Sequence, residues 1–279
     1  MGRVIAIANQ KGGVGKTTTA VNVAVALSRL DAPVLLIDLD PQANATSGLT
    51  RAADTAENPR PNIYDVLIER LPISSIIRAA RDGLDLAPAG QDLVAAEIEL
   101  AATDKREYRL KSAISSLINK YNYVLVDTPP SLGLLTLNGL VAADAVIIPM
   151  QCEYYALEGL SALLATVRRV SAALNPTLEV DGIVLTMYDS RNRLCRDVEG
   201  EVRGHFPDKA FSSVIPRNVR LSESPSHGLS VLEYDPRSTG AESYRRLAAE
   251  IAARASRAAL PTAASAATSN HPADEEKKP

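Results

Sequence analysis

The segment Asn9-Gln10-Lys11-Gly12-Gly13-Val14-Gly15-Lys16-Thr17-Thr18 constrains this chain more than any other, because it joins the β-branched run Val4 to Ala8 to a helical pattern from Thr17 to Leu30. Glycines at 12, 13 and 15 let the backbone approach a ligand without Cβ clashes. The free N–H groups that open the helix favour an anion at that turn. Strand, glycine-rich loop, Lys-Thr and helix in this order suit a polyphosphate. Lys16 would reach the β and γ phosphates, and the Thr17 hydroxyl would ligate magnesium. The strict G-x-x-x-x-G-K-[ST] spacing fails here, since its first glycine falls on Gln10 and a second lysine, Lys11, opens the loop instead. The competing interpretation is a glycine-rich turn with ordinary surface lysines; the strand before it and the helix after it argue for phosphate.

The rest of the chain continues the same alternation. Short apolar runs at Val34 to Asp38, Leu84 to Ala87, Tyr123 to Asp127, Ala145 to Pro149, Gly182 to Met187 and Ser213 to Ile215 predict strands. Helical patterns at Tyr108 to Ile118, Leu157 to Leu174 and Gly240 to Ala255 lie among them, the last with Thr239 and Glu242 spaced as a capping box. Strands apolar nearly throughout are covered on both faces, so the expected fold is α/β, a doubly wound, mainly parallel sheet flanked by helices. The expected organisation is one domain over 1–257 and a disordered tail over 258–279, whose Ala, Ser, Thr and Pro carry no apolar period. Ala52 to Pro61 reads as a polar loop.

Charge and cysteine content narrow the classes. With 30 Lys+Arg against 33 Asp+Glu the net charge is −3, which argues against constitutive nucleic-acid binding by a polybasic surface. Two cysteines, Cys152 and Cys195, and three scattered histidines give neither a disulfide framework nor metal-ligand spacing. No apolar stretch is long enough for a spanning helix or a leader, so a cytoplasmic protein is expected. Asp40 and Asp127 each follow a hydrophobic strand at its carboxyl end, the edge where open α/β sheets bind ligands. Carboxylates there can hold a magnesium-bound water or orient an attacking one; otherwise each is a cap before a turn.

The loop from Lys11 to Thr18 resembles the deviant Walker A box of the ParA/MinD class of P-loop ATPases. The resemblance continues through Asp38-Leu39-Asp40-Pro41-Gln42, Val124 to Ser131, Pro149 to Gly159, Thr186 to Arg191 and Ile215 to Gly228. As a set these motifs are similar to the ParA/Soj chromosome-partitioning ATPases. The resemblance implies ATP and Mg2+ as cofactors, bound by Lys11, Gly12, Gly13, Val14, Gly15, Lys16, Thr17 and Thr18. It implies Lys11, Lys16 and Asp40 as catalytic residues, with Lys11 reaching the partner subunit's nucleotide, and Thr17, Asp40 and Asp127 around the metal. Met187, Asp189, Pro216, Arg217 and Asn218 correspond to segments that flank the base, although either turn could be a plain connection. Arg191 and Arg220 correspond to the residues that contact DNA. The partners implied are a second copy in the ATP state, non-specific double-stranded DNA and a ParB-like activator, with nucleoid association.

Between Arg191 and Arg220 the count of basic to acidic residues is only seven to four, so cation density alone would suggest a solvated surface. The nine residues before Gln10 leave no room for a helix-turn-helix, so sequence-specific DNA reading is not expected. A MinD-like membrane ATPase would need a bulky amphipathic C-terminal helix, and the stretch from Pro261 has no Leu, Ile, Phe or Trp. A ParA-like ATPase that positions a protein cargo on the nucleoid stays open as the alternative.

Overall fold

The computed structural model describes residues 2–50 and 61–258. Seven strands, β1 (Arg3–Ile7), β2 (Val34–Asp38), β3 (Arg78–Arg81), β4 (Leu84–Ala87), β5 (Tyr123–Asp127), β6 (Ala145–Gln151) and β7 (Glu179–Thr186), make one sheet in the order β3-β4-β2-β5-β1-β6-β7. All pairs are parallel except β3 with β4. The helices are α1 (Lys16–Ser28), α2 (Asn44–Leu49), α3 (Ile63–Leu67), α4 (Leu93–Ala101), α5 (Arg109–Ile114) and α6 (Leu134–Ala142) in the first half. They continue with α7 (Ala156–Ala173), α8 (Arg193–His205), α9 (Val219–Glu223), α10 (Val231–Tyr234) and α11 (Thr239–Ala258).

Every residue of β2 is buried, as are four of the five in β1, because helices cover the sheet on both faces. One core joins the sheet to α1, α2, α10 and α11; Tyr244 of α11 is fully buried there, its hydroxyl 3.2 Å from Thr19 of α1. The other joins the opposite face to α3 through α8. This is the doubly wound α/β sheet expected, and the chain reverses direction across the sheet at β1. That reversal leaves a crevice beyond the carboxyl ends of β1, β2 and β5.

Three expectations are corrected. Ser213 to Ile215 is not a strand. The N–H groups of Ser212 and Ser213 donate to the Glu250 carboxylate of α11, at 2.9 and 2.8 Å, so beside β7 no continuous ladder forms: the Ile215 N–H donates to the Leu185 carbonyl at 2.8 Å, and isolated bridges join Ala210 to Ile183 and Pro216 to Tyr188. The Thr239–Glu242 capping box does not form; Ser238 Oγ accepts from the Ala241 N–H, and Glu242 pairs with Arg245 and Arg246. The helix expected over Tyr108 to Ile118 is α-helical only over α5, with 3₁₀ turns on either side. The loop expected at Ala52 to Pro61 and the tail expected over 258–279 lie outside the described residues, save Pro61 and Ala258.

Candidate functional site

The loop from Gln10 to Gly15 leaves β1 and enters α1. Gly13 and Gly15 sit at φ 74° and 83°, where a side chain would be strained, so glycine is required at both by the backbone itself. Gly12 is different. A Cβ built there meets nothing within 4 Å, so nothing in this chain demands a glycine at that position. Asn9 braces the loop from below, its Oδ1 accepting from the Lys11 N–H at 3.0 Å and its Nδ2 donating to the Pro149 carbonyl at 2.7 Å. The Thr186 hydroxyl donates to the carbonyl of buried Val14 at 2.8 Å, tying the loop to the end of β7. No side chain caps α1 and its first turn holds no acid, so the helix presents its opening N–H groups at the loop.

Lys16 turns back under the loop. It is 6% exposed, and its Nζ donates to the Lys11 carbonyl at 3.1 Å. Burial lowers its pKa, opposed by the charges of Asp127 and Asp40. The β2–β5 register places Asp38 beside Asp127 at adjacent strand ends. Both carboxyls are wholly buried. Asp38 is satisfied: it accepts from the Asp40 N–H, the Thr46 N–H and the Thr46 hydroxyl, at 3.2, 2.8 and 2.7 Å. Burial still pushes its carboxyl up to about 6.

Asp127 has no such partners. Among the described residues neither of its carboxylate oxygens finds a hydrogen bond, and burial, then the charge of Asp38, raise its pKa well above the carboxylate range. The Thr17 hydroxyl is close enough to ease that rise but stands outside hydrogen-bonding geometry. Asp40, 6% exposed, accepts from the Gln42 N–H at 2.9 Å and so faces the same crevice from β2. An orphaned carboxylate beside Thr17, Lys16 and an uncapped helix start fits a magnesium–polyphosphate pair. Among the described residues no cluster of three or more His, Cys, Asp or Glu could hold a metal unaided. Such a metal would therefore share its ligands with phosphate oxygens.

Lys11 points away from the loop and pairs with Glu153 in the turn after β6; both side chains are nearly half exposed. The sequence reading missed Asn9, Asp38, Thr46 and Glu153 as contributors. Asp38 stood inside the quoted Asp-Leu-Asp-Pro-Gln motif, whereas Glu153 lies 142 residues from Lys11 and carried no local signal.

A cavity of about 280 Å3 adjoins the end of the loop, lined by Gly15, Thr18, Met187, Pro216, Arg217 and Asn218 among others. Four of the five residues expected near a base are thus brought together with the loop. Met187 takes φ 49°, an uncommon strain for a side-chain-bearing residue. Asn218 is also a helix cap, accepting from the Arg220 N–H at 2.8 Å. The fifth, Asp189, does not line the cavity; its carboxylate accepts from the backbone and guanidinium of Arg191, which hold it at a pKa of about 2. Arg191 is 88% exposed. Arg220, half exposed, pairs with Glu223 at 2.8 Å and Asp235 at 3.3 Å. No helix among the described residues is long and apolar enough to cross a membrane.

Comparison with known proteins places this geometry. The AAA domain family AAA_31 matches residues 2–180. The sporulation initiation inhibitor protein Soj of Bacillus subtilis is 53% identical over 255 residues, covering 91% of this chain and 99% of Soj. The chromosome partitioning protein ParA of Caulobacter vibrioides is 50% identical, covering 90% of this chain and 94% of ParA. A solved Mycobacterium smegmatis structure, named cobyrinic acid a,c-diamide synthase and bound to an ATP analogue and magnesium, superposes with a TM-score of 0.77 at 38% identity, over 89% of this chain and 93% of that one. The identity to Soj and ParA is the higher, and it agrees with the motif set and the second lysine. On these grounds the chain belongs to the ParA/Soj family of partitioning P-loop ATPases.

Proposed function

We propose that this chain is a DNA-partitioning ATPase that pairs with a second copy on ATP, holds DNA without sequence preference in that state, and lets go when a ParB-like partner stimulates hydrolysis. The observation that carries the nucleotide part is Asp127: a wholly buried carboxylate with no partner, adjacent to Lys16 and the open start of α1. An isolated buried carboxylate costs too much to persist without a ligand or proton that offsets it.

Thr17 would hold magnesium directly, with Asp127 and Asp40 acting on it through water. Bound with the nucleotide, the metal neutralises phosphate charge and polarises the γ-phosphoryl group. Lys16, kept short of solvent, supplies a fixed positive charge to the β and γ phosphates, and the loop N–H groups add donors that need no reorganisation. Asp40 is anchored by the Gln42 N–H at the crevice and would orient the attacking water. Lys11 would leave Glu153 and reach the partner's γ-phosphate, so that hydrolysis and dimer dissociation become one linked equilibrium. The open space around Gly12 supports this, since a side chain there would meet a partner's loop before any atom of its own chain. Arg191 and Arg220, doubled across a two-fold axis, would supply enough phosphate contacts only in the dimer.

Light scattering with and without ATP tests the pairing step. Wild type should dimerise with ATP; Lys11→Ala should not, and Gly12→Val should bind ATP within a few-fold of wild type yet stay monomeric. Normal ATP-dependent dimers from Lys11→Ala would remove the trans role of that lysine.

A further inference from the structure

A cleft of about 570 Å3, larger than the cavity beside the phosphate loop, opens between the turn that follows α3 and the start of α5. It lies on the sheet face covered by α3 through α8, opposite α1, and shares no residue with the nucleotide crevice or the arginine pair. Arg70, Lys105, Arg109, Ser74 and Ser112 line it, with Asp104 as its one carboxylate.

Arg81, Arg106, Arg191, Arg203 and Arg220 are each tied to a carboxylate. Arg70, Lys105 and Arg109 have no side-chain hydrogen bond or ion pair among the described residues. Arg109 is the sharpest case: half-buried, its Nε is sealed from solvent and has no acceptor, although Arg106 a turn earlier is satisfied by Glu107 and the Ala101 carbonyl. A buried donor left unpaired costs stability unless something supplies its acceptor. Arg70 and Lys105 both sit at positive φ, 61° and 50°, where side-chain-bearing residues are uncommon. Three cations, Arg109 half-buried and Arg70 and Lys105 exposed, and several hydroxyls thus line one concavity in which Asp104 is the one lining acid. Its volume is in the range of small-molecule sites, roughly 300–1,000 Å3. Guanidinium forks and hydroxyls are the donors that hold phosphate oxygens. DNA phosphates, strung along a rod, are met by cations spread over a surface, whereas these three border one cleft.

We propose that this cleft is a second anion site, separate from the nucleotide site, that takes a small soluble molecule carrying two or more phosphate groups. Arg109 and Arg70 grip the phosphates, Lys105 adds charge, and Ser74 and Ser112 complete the donor set. The site stands whether or not the chain partitions DNA, because its residues take no part in that chemistry.

The test is calorimetric titration of the full chain with inorganic tripolyphosphate, with the phosphate loop saturated by ADP and free Mg2+ held constant. One additional binding event per chain is expected. Arg70→Gln/Arg109→Gln should weaken it tenfold or more while ADP affinity stays within twofold. Ser112→Glu, which removes no packing and adds a carboxylate to the cleft, should weaken it similarly. Lys16→Ala should weaken ADP and, with ADP left out, retain tripolyphosphate. No binding to the ADP-saturated chain, unchanged binding by the arginine double variant, or loss of all tripolyphosphate binding in Lys16→Ala would each overturn the assignment. Preference for a decaglutamate peptide over tripolyphosphate would overturn the ligand class.

Discussion

Asp127, the last residue of β5, and Arg191, five residues past the end of β7, are ionisable groups placed in opposite circumstances. Asp127 has no exposure and no partner, while Arg191 is 88% exposed and bound to Asp189 through its guanidinium. The sheet edge therefore stores an unmet electrostatic demand, and the arginine face stores none. A ligand at the first region answers a cost already built into the fold, so its effects should be large. A ligand at the second must displace existing carboxylates, so its effects should be smaller, salt-dependent and dependent on the number of contacts. Under the proposed function the contrast would suit a binder that releases in a chain of net charge −3, since Arg191 and Arg220 are neutralised by their own carboxylates until enough of them act together.

The largest effects should follow from the crevice. Lys16→Ala should remove measurable ATP binding, and Asp40→Ala should lower turnover by about a hundredfold or more while ATP still binds; steady-state hydrolysis and fluorescent-nucleotide titration separate the two. If Asp40→Ala lowered binding and turnover equally, Asp40 would be holding the nucleotide and not the water. Next comes Arg191→Ala/Arg220→Ala. Each phosphate contact adds about 0.9 to the slope of log affinity against log salt, so four arginines in a dimer bound the lost slope at about 4. The loss should fall short of that bound, since each arginine first leaves a carboxylate.

A pH effect ranks third. The Asp38 carboxyl, pushed up to about 6, keeps its proton in the folded chain at pH values where the unfolded chain has released it. Through this group the folded state then binds more protons than the unfolded one between about pH 4 and 6, so its contribution to stability falls as pH rises through that window and levels off above it. Asp127 acts in the same direction. Asp38→Asn keeps an acceptor for Thr46 and should flatten the slope, by on the order of 1–3 kcal/mol across the window, in urea unfolding of the nucleotide-free chain. An unaltered slope would place the pH response elsewhere. The smallest effect is Glu153→Gln. Freeing Lys11 from an exposed pair should favour the ATP dimer by less than about 1 kcal/mol, visible as a few-fold shift in the dimer midpoint.

The sheet was legible because its strands are buried on both faces and therefore apolar throughout; Val34 to Asp38 and Tyr123 to Asp127 were read to the residue. Arg-Ala-Ala-Arg at β3 gave no such signal, since an antiparallel edge strand needs neither a continuous apolar run nor β-branched residues. Ser213 to Ile215 gave a false one, because a distant Glu250 captures the Ser213 N–H and breaks the ladder that Ile215 begins with Leu185. The phosphate loop, Lys16 and the two aspartates were legible because local order dictates their chemistry. Asn9, Thr46 and Glu153 were not, since their work depends on neighbours brought in by the sheet register and by the turn after β6. The partners of Arg191 and Arg220 follow a similar rule: Asp189 and Glu223 are near in sequence, but nothing local says that the pairs form.

The most direct test of an ATP-gated DNA binder is equilibrium binding to a duplex of arbitrary sequence, with ATP, ADP or no nucleotide, over a salt series, for wild type and Asp40→Ala. Binding is expected in ATP alone, steeply weakened by salt and prolonged by Asp40→Ala. Equal binding in all three nucleotide states, or ATP-dependent binding to anionic liposomes in place of DNA, would contradict it.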